Sequence, residues 1–167
     1  MSARLKGRRR HADRLLSDVT RWADAEPGIH ALCLVGSFAR GHEGMGSDVD
    51  VLVLLEDVDS DVGSVGWFQR LAPGSRLVRV ATWGPVREQR WRLRSGLVAE
   101  IDLAPVSWAE VPLDSGTRRV LADGHRILHD PHGTLARAAA ALRARQPGAG
   151  GAVSRPPARE AAEGPGR

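Results

Sequence analysis

Two aspartates stand at the mouth of what otherwise reads as a buried strand. An apolar run, Ile29 to Val35, stops at Gly36-Ser37, and a loop containing Gly41, Gly44 and Gly46 follows. Asp48 and Asp50 then open a second apolar run, Val51 to Leu55. A strand covered on both faces is apolar throughout, and the β-branched Val49, Val51 and Val53 favour a strand over a helix. Alternate residues of a strand share a face at about 7 Å, so Asp48 and Asp50 project side by side. Carboxylates held that close repel one another unless a cation lies between them. Hard oxygen ligands on a rigid element suit Mg²⁺. Apolar run, Gly-Ser turn, loop, then Asp-x-Asp on a strand is the order of a metal–phosphate site.

At 167 residues the chain is long enough for one domain with a real core. No apolar segment approaches the ~20 residues of a membrane span, and the basic N-terminus is not followed by a signal-type apolar core. A soluble, cytoplasmic protein is expected. The single cysteine, Cys33, excludes an internal disulfide framework and a Cys-based zinc site. On a buried strand it reads as a small hydrophobe. The net charge of +4 raises the question of nucleic acid. The basic residues are nearly all arginine in a chain rich in Ala, Gly and Pro, which points to compositional bias. Their excess sits in Arg4, Lys6, Arg8, Arg9, Arg10 and Arg14. With five Trp, two Phe and no Tyr, no set of base-stacking aromatics is evident. These features argue against a nucleic-acid partner.

Residues 1–10 read as a disordered basic leader. Leu15, Leu16, Val19, Trp22 and Ala23 recur at helical spacing and predict a helix over His11 to Ala25, ended by Pro27-Gly28. A short helical turn is expected at Phe38 to Gly41, and a weaker helix at Val62 to Leu71. Leu77 to Trp83 alternates as a strand does. Val86 to Leu93 and Leu97 to Val106 predict a hairpin about Ser95-Gly96. Gly124 to Leu128 predicts a last short strand and Pro131 to Arg145 a terminal helix. Residues 146–167, rich in Gly, Pro, Ala and Arg, are expected to be disordered. The domain thus runs over 11–145.

Within the second hairpin strand, Ala99, Ile101 and Leu103 face one way while Glu100 and Asp102 face the other. If that strand lies beside the Asp48–Asp50 strand, one of its acids completes a three-carboxylate site; otherwise both are the wet face of an edge hairpin. Three acids converging on two Mg²⁺ ions fit in-line displacement at phosphorus. Ser37 and the backbone N–H groups after Gly36 would hold the outgoing phosphates, with Arg40 adding charge. Arg87, Arg90, Arg92 and Arg94 read as a solvated strand face.

Gly36-Ser37-Phe38-Ala39-Arg40-Gly41 followed by Ser47-Asp48-Val49-Asp50 resembles the nucleotidyltransferase motif of the DNA polymerase β superfamily. It is most similar to the small stand-alone members, relatives of aminoglycoside adenylyltransferases and minimal nucleotidyltransferases that pair with toxins. The resemblance covers about residues 12–144. It implies an α/β fold, a short mixed β-sheet flanked by helices. It also implies transfer of a nucleoside monophosphate from an NTP, usually ATP, to an acceptor hydroxyl with release of pyrophosphate. By that match Asp48 and Asp50 bind Mg²⁺, Gly36, Ser37, Arg40 and Ser47 contact the nucleotide, and Asp102 supplies the third ligand with Glu100 in reserve. Glu100 is alternatively a general base. After the core only one helix and a tail are expected, so the acceptor is small, shared with a second subunit, or a partner protein. A homodimer or a toxin-type partner fits the last two. The competing reading is a weakly catalytic binding module acting as an antitoxin or regulator.

Overall fold

The computed structural model describes residues 2–60 and 64–144. Six strands form one sheet: β1 (Ile29–Val35), β2 (Val49–Leu55), β3 (Arg76–Trp83), β4 (Val86–Arg92), β5 (Val98–Pro105) and β6 (His125–His129). Their order is β3-β4-β5-β2-β1-β6. Every neighbouring pair is antiparallel except β2 and β5, which run parallel. The two apolar runs, β1 and β2, take the middle of the sheet, where both faces are covered. The helices are α1 (Ala3–Ala25), α2 (Gly36–Arg40), α3 (Gly66–Leu71), α4 (Ser115–Ala122) and α5 (Thr134–Ala144), with a 3₁₀ turn at Val106–Ala109.

One face of the sheet packs on α1 and α3. Leu15, Leu16 and Val19 meet Leu32, Leu34, Val51, Val53, Ile101 and Leu103 in one core. Trp22 stacks on Trp67 at 4.0 Å between ring centroids, and Phe68 bridges Trp67 to Trp91. The opposite face carries a second core in which α4, α5 and the 3₁₀ turn cover Ala31, Cys33, Val35, Leu52, Leu54 and Ala104. Cys33 is fully buried there, and burial pushes its thiol up to about 12, as befits a structural residue. Those helices pack chiefly over β1, β2 and β6. The polar side chains of β5 and β4 on that face therefore look into a cleft.

The leader expected at residues 1–10 is instead part of α1, which starts at Ala3. Ser2 caps it, its Oγ accepting the Leu5 N–H at 3.2 Å. Arg8 donates to the Ser47 carbonyl and Arg9 pairs with Glu43. An arginine run that looks merely solvated in sequence is thus tied to the 42–47 loop. The expected Val62–Leu71 helix begins at Gly66, with 61–63 outside the described residues. The tail expected at 146–167 also lies outside them. Among the described residues no helix is long and apolar enough to cross a membrane.

Candidate active site

Strand β1 delivers its last residue, Val35, opposite Asp50 of β2. The next residue, Gly36, has φ +71°, and a Cβ there would overlap the Asp50 carboxylate. Only glycine allows this turn to pass so close. The chain then makes α2, closed by Gly41 in the left-handed region, with the His42 N–H donating to the Ser37 carbonyl at 3.0 Å. The Gly36 turn is therefore pressed against Asp50, and the first N–H groups of α2 have no partner within the helix.

The parallel pairing of β2 with β5 sets Glu100 directly across from Asp50 and Asp102 across from Leu52. On the other side of β5, the antiparallel β4 sets Glu88 across from Asp102 and Arg90 across from Glu100. Residues paired in register share a face, so Asp50, Glu100, Asp102, Glu88 and Arg90 all project from one side. Asp48, just ahead of β2, joins them through Arg90, which donates to Asp48 and, at 3.3 Å, to Glu100. Both acids of β5 thus share the face of the Asp48–Asp50 pair, Glu100 beside Asp50 and Asp102 one alternation further along. Arg90 is no solvated residue, because its register turns it onto the acids. Arg87, on the other face, reaches out to the Val58 carbonyl and Asp59.

Residues 19–114 match the family model of the nucleotidyltransferase domain. The chain belongs to that family. The match spans β1 to β5, hence the Gly-Ser turn and every acid just described, and the mixed sheet flanked by helices is consistent with the nucleotidyltransferase fold. Comparison with curated proteins finds no match.

The electrostatics of this cluster suit a cation. Burial first, then the charges of Glu100 and Asp48, push Asp50 up to about 7 despite Arg90 and Arg40. Burial first, then Glu100, Glu88 and Asp50, push Asp102 up to about 7, and no basic group offsets them. Glu100 is raised as well, chiefly by burial. Clustered, half-desolvated carboxylates with unmet negative charge are the donor set that a hard divalent ion wants. The stability consequence has a definite sign. Raised acids contribute stability that is complete below the ordinary value of 3.8 and lost as pH climbs through about 7. Without metal, the stabilisation that Asp50 and Asp102 contribute is expected to be lost as pH rises through about 7, so the melting temperature should be lower at pH 8 than at pH 6. Millimolar Mg²⁺ should restore it at pH 8, as read by scanning calorimetry. A metal-free melting temperature that rises from pH 6 to pH 8 would contradict the arrangement.

Glu88 had no part in the sequence reading. It is only 4% exposed, and its Oε2 accepts the Trp83 Nε1–H at 2.8 Å while its Oε1 accepts Arg79 Nε at 2.9 Å. Burial would raise it, but those hydrogen bonds outweigh burial and hold it below the ordinary value. Among the described residues, the trio of carboxylates with oxygens all within 4.8 Å is Glu88, Glu100 and Asp102. That differs from the expected Asp48–Asp50–Asp102 set, because Asp48 lies outside the strand and turns to Arg90. Both oxygens of Glu88 are already engaged, so it is a poor ligand in spite of its position.

Two expected nucleotide contacts have structural partners. Ser47 Oγ accepts the Gly44 N–H at 2.9 Å and staples the loop ahead of Asp48. Arg40 donates to the Asp123 carbonyl at 2.6 Å and to its carboxylate, at the junction of α4 and β6. It remains near enough to pull Asp50 down.

Proposed function

We propose that the chain is a Mg²⁺-dependent nucleotidyltransferase that moves a nucleoside monophosphate, AMP from ATP, to a hydroxyl of a small molecule or protein and releases pyrophosphate. The observation that carries this reading is Asp50 pressed against the Gly36 turn, with Asp48 two residues ahead and Glu100 and Asp102 alongside on a parallel strand. Asp48, Asp50 and Asp102 are the metal ligands. Asp102 is preferred over Glu100 because the charges that raise it are all acids, and Asp48, which shares Arg90 with Glu100, would exchange that ion pair for the metal. A divalent ion held there supplies positive charge to the phosphates and to the attacking oxygen. Ser37 and the free N–H groups of α2 hold the departing pyrophosphate. Glu100 takes the proton of the acceptor hydroxyl as the new O–P bond forms and the bond to pyrophosphate breaks.

The test is calorimetry with ATP, GTP, CTP and UTP, each with and without Mg²⁺, paired with a pyrophosphate-release assay. Mg²⁺-dependent binding of an NTP is expected, lost in Asp102→Asn and kept in Glu100→Gln. The Gln variant should turn over roughly 10²–10⁴-fold more slowly. Absence of binding for all four nucleotides would remove the reading.

A further inference from the structure

Glu100 and Asp102 form one side of a cleft of about 290 Å³ whose apolar walls this chemistry leaves unassigned. Leu52, Val86, Trp108 and Val120 wall it, Glu100 and Asp102 line it on the side of the acids, and Trp83 stands at the β3 edge. Trp83 is 62% exposed, yet its ring is not free. Its Nε1–H is held by Glu88, a buried carboxylate held in turn by Arg79. A buried carboxylate is costly unless fully paired. Here one oxygen holds Arg79 and the other fixes an aromatic ring that faces water. An exposed large ring is informative where a scattered small apolar residue is not.

The place of the cleft in the sheet says what it serves. Reading across the strands, the Gly36-Ser37 turn leaves β1, Asp50 follows on β2, and the cleft runs from Leu52 past Glu100 and Asp102 of β5 to β4 and β3, under Trp108 and Val120. In-line displacement brings the attacking oxygen from the side opposite the leaving group. With pyrophosphate leaving toward the Ser37 turn, the attacking hydroxyl arrives from the cleft.

We propose that this cleft is the acceptor site, and that the acceptor is a small molecule carrying a planar ring beside its reacting hydroxyl. This rests on the nucleotidyltransferase reading. The ring packs on Trp83 and Trp108, and the hydroxyl points to Glu100 and Asp102. Its oxygen bonds to the α-phosphorus, its proton passes to Glu100, and the bond to pyrophosphate breaks. The volume is near the lower end for small-ligand pockets. The carboxylates lining the cleft favour a neutral or cationic molecule over an anionic one.

Three phenols of graded charge test this on the full chain by saturation-transfer NMR: 4-ethylphenol, tyramine and 4-hydroxyphenylacetate. The first two are expected to bind, and the anion about tenfold more weakly or not at all. Trp83→Ala, made together with Glu88→Gln so that no buried carboxylate loses its donor, is expected to weaken phenol binding about tenfold while leaving ATP binding by calorimetry unchanged. Glu88→Ala should move phenol binding in the same direction by freeing the ring. Phenol binding unaltered in that double variant, no phenol binding, or preference for the anion would overturn the proposal. So would loss of ATP affinity in the double variant, which would assign the cleft to the base of the donor. If the unaltered chain binds no ATP, the transferase reading itself has failed, which is a separate outcome.

Discussion

Asp50→Asn is expected to abolish NTP turnover while making the metal-free protein more stable. Asp50 sits between the Gly36 turn and Glu100, and burial with two neighbouring acids already pushes its carboxyl up to about 7. At pH 8 the unaltered chain must hold that carboxylate ionised in a place that resists it. Asparagine keeps the shape and removes the charge, so the melting temperature without metal should rise. The same change deletes a metal ligand, and turnover should fall on the order of a thousandfold or more, about 4 kcal/mol of barrier. Pyrophosphate release and thermal melts on one preparation read both effects. Retained turnover would refute the assignment of Asp50, and a lower melting temperature would refute the electrostatic account.

Gly36→Ala should be the most damaging single methyl in the chain. The φ of +71° costs a residue with a Cβ about 1–2 kcal/mol. The new atom would also lie on the Asp50 carboxylate, which must move. Displacing a reacting group by about 1 Å can cost 10²-fold in rate. Stability should therefore drop modestly, while Mg²⁺–NTP binding and turnover collapse. Gly41→Ala separates the two causes. Gly41 has φ +70°, but a Cβ there meets nothing within 4 Å. It should show the backbone cost in a denaturant titration and keep nucleotide binding. Equal loss of binding in both variants would mean that the close approach to Asp50 is not what matters.

The parts of the site that are local in sequence were legible there. Gly36-Ser37 and Asp48-x-Asp50 announce themselves because a turn needs glycine and a buried strand has no other use for paired acids. The β4–β5 hairpin was legible too, from alternation about Ser95-Gly96. What escaped depends on register between strands distant in the chain. Nothing in the local run Arg87-Glu88-Gln89-Arg90 says that Arg90 falls across from Glu100 or that Glu88 is buried beneath Trp83. Only the stacking of β3, β4 and β5 decides that. The first helical turns of α1 were missed for a related reason. Arginines at 8 and 9 look like a solvated leader until the 42–47 loop folds back to receive them.

The lone parallel pairing in the sheet also bears on how the molecule is made. β1 with β2, and β3 with β4 and β5, are meanders whose partners are near in the chain. The contact of β2 with β5 instead closes a stretch holding α3, β3 and β4. Ordering so long a segment before any contact rewards it is entropically slow. Until that seam zips, Asp50 and Glu100 belong to separate halves, and no nascent or partly unfolded chain can gather the acids. Uptake of a divalent ion during refolding would thus be a late signal, reporting that the two halves have met in register.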